Sequence, residues 1–86
     1  MAVIEKKCTP YFFDLIVRGE KNVDLRLADF EIKPGDIFIL KEWDPIRQHY
    51  TGRSETKFVK QVNKVDPFKF WDEDKLKKHG IFLIEF

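Results

Sequence analysis

Gly19-Glu20-Lys21-Asn22-Val23-Asp24-Leu25-Arg26 is the stretch on which the reading of this chain turns. It follows a segment of helical spacing and then alternates apolar with polar residues. Side chains in a strand alternate faces, so Val23, Leu25 and Leu27 point one way and Asn22, Asp24 and Arg26 the other. Lys21, Asp24 and Arg26 then place two cations and a carboxylate on ordered backbone. One reading is a polar mouth that binds a phosphate or a base edge, or activates water. Arginine offers a planar bidentate clamp, and lysine a mobile point charge. The other reading is an ion pair that only holds the strand start. Strict alternation puts Lys21 opposite Asp24 and Arg26, so all three converge only where the chain bends near Asn22.

Working outward, Ala2 to Lys7 reads as a first strand. Thr9-Pro10 starts a helix, with threonine as N-cap and proline at the first helical position. Tyr11, Phe12, Leu15 and Ile16 recur at helical spacing, and Gly19 stops the helix after Arg18. Asn22 to Leu27 is the second strand. Pro34-Gly35-Asp36 forms a turn. Asp36 to Trp43 is a third strand, whose apolar run Ile37 to Leu40 fits burial on both faces. Asp44 to Arg53 reads as a loop and Glu55 to Val65 as a long fourth strand, broken by Asp66-Pro67. Asp72 to His79 is a short helix with acids at its start and bases at its end, as the helix dipole favours. Gly80 ends it, and Ile81 to Phe86 is expected to close the sheet.

The 86 residues make one domain, residues 1–86, with no room for a second core. A 43% hydrophobic content with nine phenylalanines supports a compact core despite 36% charged residues. The formal charge of +1 argues against strong non-specific binding to nucleic acid. The charge is uneven: residues 1–44 hold seven basic and nine acidic residues, and residues 45–86 nine and six. A local basic face is therefore open to the second half. The single cysteine, Cys8, leaves no internal disulfide, which fits a reducing cytoplasm. No signal peptide, membrane span or cofactor is expected. Cys8, His49 and His79 lack zinc-site spacing. The oligomeric state stays open, with a monomer favoured.

Two further groups carry possible chemistry. In the loop Trp43 to Arg53, Trp43 and Tyr50 offer π-faces, while Arg47, His49 and Arg53 offer cationic donors. Aromatics interleaved with bases suit single-stranded nucleic acid, because each base can stack while its phosphate is neutralised. The alternative is that Trp43 ends a core strand and Tyr50 packs over the rim. Lys57, Lys60 and Lys64 read as a solvated strand face or as edge protection, with a track for phosphates as the alternative.

The pattern G-x-K-x-x-[E/D]-x-R, here Gly19, Lys21, Asp24 and Arg26, with the later Pro34-Gly35-Asp36, resembles the ASCH domain, a small relative of the PUA RNA-binding fold. Leu40-Lys41-Glu42-Trp43-Asp44-Pro45, followed by Tyr50-Thr51-Gly52-Arg53, is similar to a short ASCH-like subfamily of mostly unassigned function. The resemblance runs from about Thr9 to Phe86. It implies an α+β fold: a small, partly open β-barrel of five to six mainly antiparallel strands with two short helices. It also implies binding of RNA or a nucleotide-like ligand in a cleft beside Lys21, Asp24, Arg26 and Arg53, with Trp43 and Tyr50 of the neighbouring loop as further ligand-binding candidates. Some ASCH proteins are amidohydrolases that deacetylate acetylated cytidine. On that pattern Lys21 stands at the catalytic lysine, Asp24 at the threonine nucleophile, and Glu73 is the loose counterpart of the glutamate. Asp24 cannot be that hydroxyl. A different hydrolysis, with Asp24 activating water beside Lys21, is the alternative function. Whether the chain is an enzyme stays open at this point.

Overall fold

The computed structural model describes residues 1–82 and Ile84. Among them lie three strands, β1 (Val3–Cys8), β2 (Ile37–Asp44) and β3 (His49–Phe58), and two α-helices, α1 (Pro10–Val17) and α2 (Glu73–His79). A single 3-10 turn, Pro67–Lys69, precedes α2. The sheet order is β1-β2-β3. β1 pairs parallel with β2, Val3 opposite Ile37 through Cys8 opposite Glu42. β2 pairs antiparallel with β3. A parallel pair needs a crossover connection, and residues 9–36, with α1 at their start, supply it.

α1 begins on Thr9-Pro10 as expected, although Thr9 makes no side-chain cap bond. Its buried residues are Phe13 and Ile16, one turn apart, while Tyr11 and Phe12 lie exposed. Phe13 and Ile16 pack on Leu40 and Cys8, with Phe38 at the margin of this small core. The helix ends in a Schellman pair: the Gly19 N–H donates to the Ile16 carbonyl at 3.1 Å and the Glu20 N–H to that of Leu15 at 2.9 Å. Gly19, at φ 75°, supplies the left-handed residue this cap needs.

Lys33-Pro34-Gly35-Asp36 is a turn closed by the Asp36 N–H on the Lys33 carbonyl at 3.1 Å. Proline and a positive-φ glycine at its two central positions make it type II. The buried Asp36 carboxylate accepts from the Ala2 N–H at 3.0 Å and the Lys33 N–H at 2.9 Å. These two backbone bonds, Ala2 first, hold its pKa below the ordinary carboxylate value. Asp36 thus ties the start of β1 to the start of β2.

The expected barrel of five to six mainly antiparallel strands is not what this chain forms. Its described strands make an open three-stranded sheet, with one of the two pairings parallel. Two of the strand differences have a cause in the surroundings. Asn22 to Leu27 forms no ladder: the Arg26 guanidinium, not a strand N–H, takes the outward carbonyl of Lys7 at 2.7 Å. Leu25 and Leu27 are left exposed. β3 ends at Phe58 rather than Val65, because Ile37 pairs with Phe58 and the turn before it leaves residues 60–65 no partner. The loop expected over Asp44 to Arg53 is shorter. Asp44 Oδ1 accepts from the N–H groups of Ile46 at 2.9 Å and Arg47 at 3.1 Å, and the Gln48 N–H closes on the Asp44 carbonyl at 2.8 Å. The chain therefore turns within four residues, and His49 to Arg53 join β3. Of the strand expected over Ile81 to Phe86, Leu83, Glu85 and Phe86 lie outside the described residues. Ile81, Phe82 and Ile84 carry no regular structure.

Candidate functional site

The two faces of the sheet separate the candidate residues. Cys8, Leu40 and Glu42 share the face that α1 covers, whereas Lys7, Lys41 and Trp43, one position along, lie on the other.

On the α1 face the central group is Glu42, 5% exposed. Its Oε1 accepts from the Thr51 hydroxyl at 2.6 Å, and its Oε2 lies 3.6 Å from Arg53 Nη1. Arg53 also reaches Asp14 of α1 at 3.3 Å and stands 4.9 Å from the Phe13 ring centroid. Thr51 and Arg53, two residues apart on β3, share this face by alternation. The pairing is interrupted between Lys41 and Trp43, and Gly52 sits at φ 95°. Glycine is thus favoured at position 52 by the backbone itself.

Beside Glu42, the Cys8 thiol is buried. Burial pushes its pKa up. The Asp24 carboxylate pushes the same way, and the Arg26 and Lys21 cations oppose them. Asp24 and Arg26 lie beside the end of β1, where Arg26 donates to the Lys7 carbonyl. Asp24 and Arg26 pair directly, at 2.5 Å and about three-quarters buried. Lys21 does not join them: its ammonium donates to the Val23 carbonyl and lies 5.6 Å from the Phe12 ring centroid. The Schellman cap fixes this divergence, since the Lys21 N–H is also held on the Leu15 carbonyl at 3.1 Å.

The opposite face carries the aromatic pair. Trp43 and Tyr50 are cross-strand partners that meet edge-to-face at 4.9 Å between centroids. Lys7 Nζ lies 3.7 Å over the Trp43 ring, and Lys41 Nζ 5.4 Å from the Tyr50 centroid. Tyr50 is 49% exposed. Trp43 is half-buried, as its place within β2 demands.

The ligand-binding candidates therefore fall on two faces of the sheet. Lys21, Asp24, Arg26 and Arg53 lie toward α1, and Trp43 and Tyr50 lie on the other side of the sheet. Glu73 belongs to neither grouping: it opens α2, is exposed, and pairs with Lys77 at 2.9 Å. Glu42, Thr51, Lys7 and Lys41 were missed as site residues. One signal for Glu42 was available, a carboxylate in line with the inward-facing Phe38 and Leu40.

Residues 4–73 match the family described as Domain of unknown function (DUF3850). The chain belongs to this family. An uncharacterized 12.9 kDa protein in the GpA 3′ region of Escherichia phage P2 is 32% identical over 77 residues. The match covers 90% of this chain and 66% of the phage protein, so the chain spans just under two thirds of that relative. No solved structure matches the chain. The matched region of the DUF3850 family contains every residue of both sites. No helix among the described residues is long and apolar enough to cross a membrane.

Proposed function

We propose that this chain binds single-stranded RNA or a nucleotide-like ligand, with a base stacked on Tyr50 and phosphates drawn to Lys7 and Lys41. The observation that carries this reading is the half-exposed Tyr50 ring, held edge-on by Trp43 and flanked by two lysines. Stacking on an aromatic ring contributes about 1–3 kcal/mol per base and tolerates any sequence. Lys7 already occupies one face of Trp43, so Tyr50 is the available platform. The resemblance to ASCH domains points the same way. Arg26 and Arg53 on the α1 face are largely spent on carboxylates, and Lys41 on the aromatic face lies 3.4 Å from Glu5 Oε2, so affinity is modest and Lys7 is the freer phosphate contact. The test is a titration of labelled single-stranded RNA at several salt concentrations. Removing one phosphate contact flattens the log–log salt slope by about 0.7 for single strands, so Lys7→Ala and Lys41→Ala each reduce it. Absence of binding at low salt by the folded protein overturns the proposal.

A second reading, a small hydrolase of an acylated nucleoside, draws on Thr51. The Lys21 motif lacks a hydroxyl, and Thr51 supplies one, bonded to the buried Glu42. Thr51 Oγ1 would attack the acyl carbon as its proton passes to Glu42, which returns it to the leaving nitrogen and so releases the nucleoside amine; water, deprotonated by Glu42, would then hydrolyse the threonyl ester, releasing the acid and restoring the hydroxyl. Loss of the acetyl group from acetylated cytidine, abolished in Thr51→Val, supports this reading. No turnover by the folded parent removes it.

A further inference from the structure

The outer edge of β3 is matched in charge to a second copy of itself. We infer that two copies of this chain pair antiparallel along β3, residue 56 opposite residue 56, joining their sheets into one of six strands.

The direction of the backbone groups sets this register. The Val59 N–H donates to the Asp36 carbonyl at 2.9 Å, and its own carbonyl accepts from the Gly35 N–H at 2.8 Å, so Val59 faces β2. Alternation then turns Lys57 and Glu55 toward β2, and Phe58, Thr56 and Ser54 away from it. Among the described residues, no backbone group of Ser54, Thr56 or Phe58 bonds to a chain segment on this outer side. All three residues are exposed. In an antiparallel pair, residues that turn toward each other exchange both of their bonds. Pairing Thr56 with Thr56 of the second copy, and Ser54 with Phe58, therefore satisfies all three on each side.

That register fixes what meets between the bonded pairs. Glu55 of one copy stands opposite Lys57 of the other, and Lys57 opposite Glu55. These are the positions where antiparallel side chains approach most closely, and opposite charges there are favourable. Both side chains lie on the α1 face, above Leu40 and Phe38, which offer them no competing charge from β2. Within one chain the two are only 3.7 Å apart, so the edge carries one plus and one minus sign at reach of its own reverse. A lone lysine on an edge discourages pairing; a lysine preceded by a glutamate two residues earlier selects an antiparallel copy instead. The irregularity at Gly52 bends β3 away beyond Arg53, which limits the flat segment to this length and blocks the slipped register in which Arg53 would face Glu55.

Sedimentation equilibrium of the parent, Glu55→Lys, Lys57→Glu and the double variant tests the inference, with protein from about 1 to 300 µM. The short contact predicts a parent dimer of micromolar dissociation constant, in the weak class of interfaces. Each single variant sets like charges opposite one another at two symmetric places and weakens the dimer by about tenfold or more. The double variant restores both pairs and returns the parent's dissociation constant. Circular dichroism at the dilute end, where every variant is monomeric, gives a shared unfolding temperature. A parent that stays monomeric throughout overturns the inference. So does a dimer indifferent to either single change, or a double variant no tighter than the singles.

Discussion

Thr51→Val removes one hydroxyl and almost no volume, and it isolates what holds Glu42. The Glu42 carboxylate is 5% exposed, with Thr51 on one oxygen at 2.6 Å and Arg53 at 3.6 Å from the other. The second contact is too long for a hydrogen bond, so the hydroxyl is the only side-chain donor bonded to the carboxylate among the described residues. Hydrogen bonds to charged groups contribute about 1.5–3 kcal/mol, and a buried acceptor left without its donor costs a similar amount. Thr51 itself stands at the surface, and water can enter from that side. The loss is therefore about 1.5–2 kcal/mol. In a domain of this size that lowers the unfolding temperature by about 10 °C. Urea and thermal unfolding of the parent, Thr51→Val, Glu42→Leu and the double variant form a cycle. Thr51→Val in the Glu42→Leu background should cost less than about 0.5 kcal/mol, because no carboxylate remains to be orphaned. A single Thr51→Val variant within about 0.5 kcal/mol of the parent would refute the reasoning and leave Glu42 as a solvated group.

Gly52→Ala meets no neighbour within 4 Å, so its expected cost of about 1 kcal/mol is pure backbone strain at φ 95°, read by urea unfolding. Asp36 has a lowered folded pKa, so its contribution is full above the unfolded value of about 3.9 and is lost as pH falls through the folded value. Stability measured from pH 7 down to pH 2 should drop on that limb, and Asp36→Asn should flatten it. The raised pKa and burial of Cys8 predict alkylation at pH 8 far slower than that of an unfolded control, measured by mass spectrometry.

Local chemistry in this chain was readable where a few residues decide it. Thr9-Pro10, Gly19, Pro34-Gly35-Asp36 and the acid-to-base order of α2 all stand where their residue types require. What failed was pairing. Val23, Leu25 and Leu27 alternate as a strand does, yet alternation names no partner, and the Arg26 side chain took the acceptor a ladder would have used. Val62 and Val65 failed for the same reason, since the turn at Pro34 removed the strand they needed. The candidate site suffered from face assignment. Trp43 and Arg53 are near in sequence and were read as one loop. A turn of only four residues carries both into paired strands, where alternation sets them on opposite faces of the sheet. Glu73 was placed by its analogy with a distant catalytic carboxylate, while the buried carboxylate under α1 is Glu42.

The central claim is that Tyr50 stacks a base beside Lys7 and Lys41. Trp43 lies 4.9 Å from Tyr50 and reports on it directly. In a Trp71→Phe background Trp43 is the sole tryptophan, and its emission is followed as single-stranded RNA is added at low salt. The account predicts a saturable change in Trp43 emission. Tyr50→Phe retains affinity, and Tyr50→Ala loses about tenfold or more, the equivalent of one stacked base. An unchanged Trp43 signal, or equal affinity of Tyr50→Ala and parent, contradicts it.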